Sequence, residues 1–224
     1  MRTRHRINPI WIISLLIVLV AVGFVAMSGG RATNDKQDDS CTIVVIDAGH
    51  GGNDPGAIGI NGMLEKDLNL DLAKLVYVKS LAYPELQLVL TRRSDVYLEL
   101  ADRLELATSV GAKLYVSIHA NAYSSSSVSG IETYIGLGAD DDTCRLAEIL
   151  HGTLIRATSA RDRGVRTSDL YVGSAKMPAV LLELGFLTNP AEAARLATIR
   201  YQDDLAEAIL SGILLYLEND RSND

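Results

Sequence analysis

From Thr42 onward, short apolar runs alternate with longer stretches in which apolar residues recur every three or four positions. "TIVVID" (42–47), "LQLVLT" (86–91), "LYVSIH" (114–119), "IETYI" (131–135) and "AVLLEL" (179–184) have strand length. Several are apolar on both faces, as parallel strands covered by helices require. Helical periodicity runs over 65–82, 98–110, 143–158 and 202–218, with a shorter helix after Pro190. In the first of these, Leu68, Leu72, Leu75 and Val76 line one face. Strand followed by helix, repeated, predicts an α/β fold: one three-layer domain over 41–219, a mostly parallel sheet with helices on both faces, and a short tail at 220–224. Ser124 to Ser127 reads as a loop, and no internal repeat is present.

The N-terminal segment follows a different pattern. Ile10 to Met27 is an apolar run in which Ser14 is the one strongly polar residue, and it follows a basic leader, 1–9, containing Arg2, Arg4 and Arg6. As a helix it would span about 27 Å, close to the ~30 Å hydrocarbon core of a bilayer. The expectation is a single transmembrane anchor with its arginine side in the cytoplasm and the domain on the extracytoplasmic side, in the periplasm or cell-wall space. A cleaved signal peptide is the rival reading, and it exports the domain equally. Ser28 to Ser40 is polar and glycine-bearing, a flexible spacer.

Composition narrows the partners. Three of the 21 basic residues lie in the first six positions and every acid lies beyond them, which leaves 18 bases against 28 acids, a formal charge of −10. Phosphate neutralisation needs a basic face, so nucleic acid is excluded as partner. A monomer is expected. In an oxidising compartment Cys41 and Cys144 are read equally as two thiols or as one disulfide.

The candidate chemistry begins at "DAGHGGNDPGA" (47–57), where the first strand runs into glycines. A Walker loop would end in Gly-Lys-Ser or Gly-Lys-Thr, and a dinucleotide fingerprint would lead straight into a helix. Here Asn53, Asp54 and Pro55 follow, and no helix is expected before Glu65. The glycines instead allow a sharp turn that holds His50. His119 ends a strand, Glu183 lies near the end of another, and Glu65 opens the first helix. The carboxyl ends of parallel strands form the ligand crevice of such sheets, so these four residues are expected to converge. Two imidazoles and one carboxylate form a three-ligand set suited to catalytic zinc: His50, Glu65 and His119. Glu183, a carboxylate on an apolar strand, fits the base that takes a proton from water.

Structural alternatives stand beside these assignments. Glu65 would be favourable at a helix start through the dipole alone. Glu183 could pair with a buried arginine, and Glu132 is the rival carboxylate. His151 and His5 are read as surface residues. Arg161, Arg163 and Arg166, in "ARDRGVR", are read as a solvated charge run in preference to contacts with an anionic substrate.

Taken in order, "VVIDAGHGGNDPGA" (44–57), "EKDLNLDLA" (65–73), "LTRRSD" (90–95), Arg103, "LYVSIHANA" (114–122), "GIETYI" (130–135) and "MPAVLLELGFLTNP" (177–190) resemble the zinc-dependent N-acetylmuramoyl-L-alanine amidases, catalytic-domain type 3. The resemblance covers nearly all of 42–218. One departure is Ala48, where the family commonly has proline. The resemblance implies Zn2+ held by His50, Glu65 and His119, with Glu183 as catalytic glutamate. It also implies peptidoglycan as substrate, cut at the amide between muramic acid and L-alanine. Some members carry an autoinhibitory helical insert after the "SIHAN"-like strand, and 122–144 is too short for one. A zinc exopeptidase on ordinary peptides and a non-catalytic, membrane-tethered wall-binding module are the alternatives.

Overall fold

The apolar runs pair into one six-stranded sheet: β1 (Thr42–Ala48), β2 (Leu86–Leu90), β3 (Leu114–Asn121), β4 (Ile131–Ile135), β5 (Asp162–Thr167) and β6 (Ala179–Phe186), in the order β2-β1-β3-β6-β4-β5. This is a computed structural model, and it describes residues 41–221. The basic leader, the expected anchor at 10–27, the spacer and the last three residues lie outside the described residues. Among the described residues no helix is long and apolar enough to cross a membrane. All neighbouring strands run parallel except β4 against β6.

Alternation along the strands sends side chains to two faces. Val44, Ile46, Val116, Ile118, Val180 and Leu182 pack in one cluster with Leu72 and Val76 of α1 (Glu65–Ser80), Leu146 and Leu150 of α3 (Asp141–Thr158) and Ile209 and Ile213 of α5 (Ile199–Arg221). Val45, Tyr115 and Leu181 form a second cluster with Ala107 of α2 (Leu100–Ser109) and Val172 in a single 3-10 turn (Tyr171–Ser174). The predicted three layers are therefore present, with a thinner second layer. The short helix α4 (Pro190–Leu196) starts where expected, because the Asn189 side chain accepts from the Ala191 and Glu192 amides.

Three local readings change, and one open alternative is resolved. The charge run 161–166 becomes part of edge strand β5, whose charged, half-exposed side chains hide it from a search for apolar runs. His151 is buried rather than at the surface: its ring bonds Thr133 Oγ1 at 3.0 Å and Asp162 at 2.9 Å, because its face of α3 packs on β4 and β5. The last helix runs into the predicted tail as far as Arg221, where Asp220 pairs with Lys113 and Arg145. Cys41 and Cys144 are free thiols.

One buried ion pair fixes the end of β1. Asp47 and Arg103 are both buried, and Arg103 Nη1 donates to Asp47 Oδ1 at 2.7 Å. Burial pushes the Asp47 carboxyl up, but the Arg103 charge and hydrogen bonds from Ser117 and Thr91 outweigh it and leave the pKa lowered. Its contribution to stability is fully present above the unfolded value near 4 and lost as pH falls through the lower folded value. Arg103→Met strands the carboxylate, so unfolding by denaturant is expected to show a loss of about 3–5 kcal/mol at neutral pH. The acid transition is expected to move to higher pH, since burial then acts on Asp47 without the charge and hydrogen bonds of its ion-pair partner.

Candidate metal centre and adjoining carboxylate

Backbone geometry around residue 50 explains the glycines. His50 itself has a left-handed backbone (φ 62°), uncommon for a side-chain-bearing residue and a sign that the surroundings hold it there. A Cβ at Gly49 would collide with the His119 ring, so only glycine lets the two histidines approach. Two buried arginines take up the carbonyls of this turn. Arg92 donates to Ala48 O and Gly49 O at 2.8 and 2.9 Å, and Arg103 to Ala48 O and His50 O at 2.8 Å each. A phosphate cradle would offer amide N–H groups; this loop is organised through its carbonyls and serves to position His50.

Three of the four expected residues meet closely. His50 Nε2 and His119 Nδ1 lie 3.1 and 2.9 Å from the same oxygen, Glu65 Oε1. One ligand atom from each residue falls within 4.8 Å of the others, and the rings stand nearly perpendicular with centroids 4.9 Å apart. The other ring nitrogen of His50 bonds Asp54 at 2.7 Å. That is the carboxylate-to-imidazole contact that fixes the orientation of a ligating histidine. Glu65 is anchored by the Ala57 amide on Oε2 and the Ala120 amide on Oε1, so its place at the start of α1 serves more than the helix dipole. Burial raises the Glu65 pKa, but hydrogen bonds from His119 and His50 outweigh it and hold the carboxyl far below its usual range.

Glu183 stands one strand away, directly paired in register with His119. Among the described residues no arginine pairs with it; the arginine-paired carboxylate is Glu132, its neighbour across β4 and β6. Glu183 Oε2 is enclosed without a hydrogen-bond partner, as is His119 Nε2. Burial, then the charges of Glu65 and Glu132, push the Glu183 carboxyl well above its ordinary value. A converging donor set and incompletely satisfied buried atoms fit a centre completed by a divalent ion and a substrate. Asp47 and Asp54 were not singled out from sequence. Asp47 carries the signal already used for Glu183, a lone acid on an apolar strand; Asp54 carries none beyond its four-residue distance from His50.

Residues 44–214 match the family model described as N-acetylmuramoyl-L-alanine amidase. The chain is 45% identical over 175 residues to the N-acetylmuramoyl-L-alanine amidase LytC of Bacillus subtilis, covering 77% of this chain and 35% of that one. It is 42% identical over 177 residues to the uncharacterized protein YqiI of the same organism, covering 78% and 84%. Among solved structures it resembles the catalytic domain of CwlV from Paenibacillus polymyxa (41% identity, TM-score 0.76, 79% of this chain and 98% of that one). It also resembles an N-acetylmuramoyl-L-alanine amidase from Clostridium difficile 630 (40%, TM-score 0.78, 80% and 98%).

Proposed function

Because the chain belongs to the N-acetylmuramoyl-L-alanine amidase family, we infer that it is a zinc-dependent hydrolase of peptidoglycan, cutting the amide between the lactyl group of N-acetylmuramic acid and L-alanine. The observation that supports this most is the meeting of His50, Glu65 and His119 around one point, with Glu183 beside it in register. His50, Glu65 and His119 would hold zinc, whose chemistry is to lower the pKa of water and polarise a carbonyl. Glu183 takes the proton from the attacking water and delivers it to the departing nitrogen of L-alanine. One water is consumed, the C–N bond breaks, and a lactyl carboxylate and a free amine form. Arg92 and Arg103 keep the carbonyls of the glycine turn fixed and with them the imidazole of His50. The apolar run 10–27 behind its basic leader would tether the domain on the outer side of the membrane, where this substrate lies.

Purified muropeptides and plain peptides of the same sequence separate the amidase from an exopeptidase. The expected mass spectrum shows intact stem peptides with a new L-alanine amino terminus, from muropeptides alone. Release of single terminal amino acids from both substrates would assign an exopeptidase instead.

A further inference from the structure

Strand β5 brings two arginines to Glu132, the register partner of Glu183 on the neighbouring strand. Glu132 is paired with Glu183 across the antiparallel strands β4 and β6, so their side chains stand on the same side, Cβ atoms about 5 Å apart. Glu132 is buried and fully engaged. Arg163 Nε donates to its Oε1 at 2.7 Å, and Asn121 and the Tyr134 hydroxyl donate to its Oε2 at 3.1 Å each. Arg166 Nε lies 3.2 Å from Oε1. Two guanidinium groups thus share one carboxylate. Glu132 meets each arginine at Nε, and a guanidinium carries four further N–H donors.

These residues line a cavity of about 470 Å3 together with Asn121 and Phe186. Asn121 and Phe186 are paired just beyond the His119 and Glu183 pair, so the cavity begins where the catalytic row ends. Arg163 also lies over the Phe186 ring, 5.2 Å from its centroid, and its side chain is only 21% exposed; Arg166 is 44% exposed. Arg163 therefore acts chiefly as support, and Arg166 is the group free to meet a solute.

We propose that this cavity receives the departing stem peptide and that Arg166 binds its first free carboxylate, the α-carboxylate of the γ-linked glutamate that follows L-alanine. This rests on the amidase reading. The dimensions agree: two residue lengths of extended chain place that carboxylate about 7 Å from the scissile nitrogen. Strand β5 lies two strand spacings, about 10 Å, from β6, and Arg166 is in register with Tyr134 and Leu181, two residues or about 7 Å along the strand from Glu183; its side chain, whose Nε reaches Glu132, turns back toward the site across that offset. A planar guanidinium suits a carboxylate and loses its charged partner when that group is an amide.

Two muropeptides identical except for a carboxylate or a carboxamide at this position test the assignment. The wild type is expected to lose on the order of tenfold in kcat/KM on the amidated substrate, mostly through KM, as for one charge-assisted contact. Arg166→Gln is expected to lose about as much on the acid form and little on the amide, so that the preference disappears; Arg166→Lys keeps part of it. Equal wild-type activity on both substrates, or an equal loss by Arg166→Gln on both, overturns the carboxylate subsite and leaves the amidase reading intact. Cleavage of neither muropeptide by the wild type overturns both.

Discussion

Glu183→Gln is expected to reduce muropeptide hydrolysis by about 10²–10⁴-fold, the range for removing a positioned general base, while metal content stays at the wild-type level. Glutamine keeps the shape of the side chain, and its amide cannot accept and return a proton. Stability is the second readout. A structural carboxylate such as Glu132 holds two arginines, an asparagine and a tyrosine hydroxyl, and its loss would leave those donors without their shared acceptor. Glu183 has an enclosed oxygen without a partner and a pKa raised first by burial and then by two neighbouring negative charges, so its ionised form opposes folding. The glutamine variant should therefore melt at the same temperature as the wild type or higher, the pattern of a residue kept for chemistry at a cost in stability. Retained hydrolysis would remove Glu183 from the mechanism, and a lower melting temperature would assign it a structural role.

The strands and main helices were legible because burial on two faces leaves uninterrupted apolar runs, and burial on one leaves a helical period. The row we propose as catalytic stands out for the opposite reason: His119 and Glu183 interrupt such runs at the strand ends, where the interruption needs a cause. Glu65 was less so, since an acid at a helix start already has one. Strand β5 was hidden, because an edge strand needs no apolar run and its charges suit both solvent and Glu132. His151 was hidden too: its burial depends on Thr133 and Asp162, which lie on other elements and supply both ring partners. The arginines that hold the glycine turn escaped a reading by chemistry, since their partners are backbone carbonyls, and no side-chain pattern records where a carbonyl points.

Metal removal is expected to abolish hydrolysis, and stoichiometric Zn2+ to restore it. His50, Glu65 and His119 together present the donors, so His119→Ala is expected to lose both bound metal and activity. Elemental analysis beside the rate separates this from loss of the base, which spares the metal. Binding to the folded state alone stabilises it by about 2.7 kcal/mol at a free ion concentration one hundred times Kd, so zinc should raise the melting temperature of the metal-free wild type and leave that of His119→Ala nearly unchanged. A graded variant tests the geometry further. Asp54 touches His50 and is not a member of the three-residue set, holding the ring from its far nitrogen. Asp54→Asn should therefore weaken zinc by about 10–100-fold without abolishing binding, and saturating zinc should recover most of the rate. An asparagine variant that fails to recover at any zinc concentration would mean that Asp54 acts on the reaction itself. One with unaltered affinity would mean that the glycine turn, with Arg92 and Arg103 on its carbonyls, already fixes His50 without help.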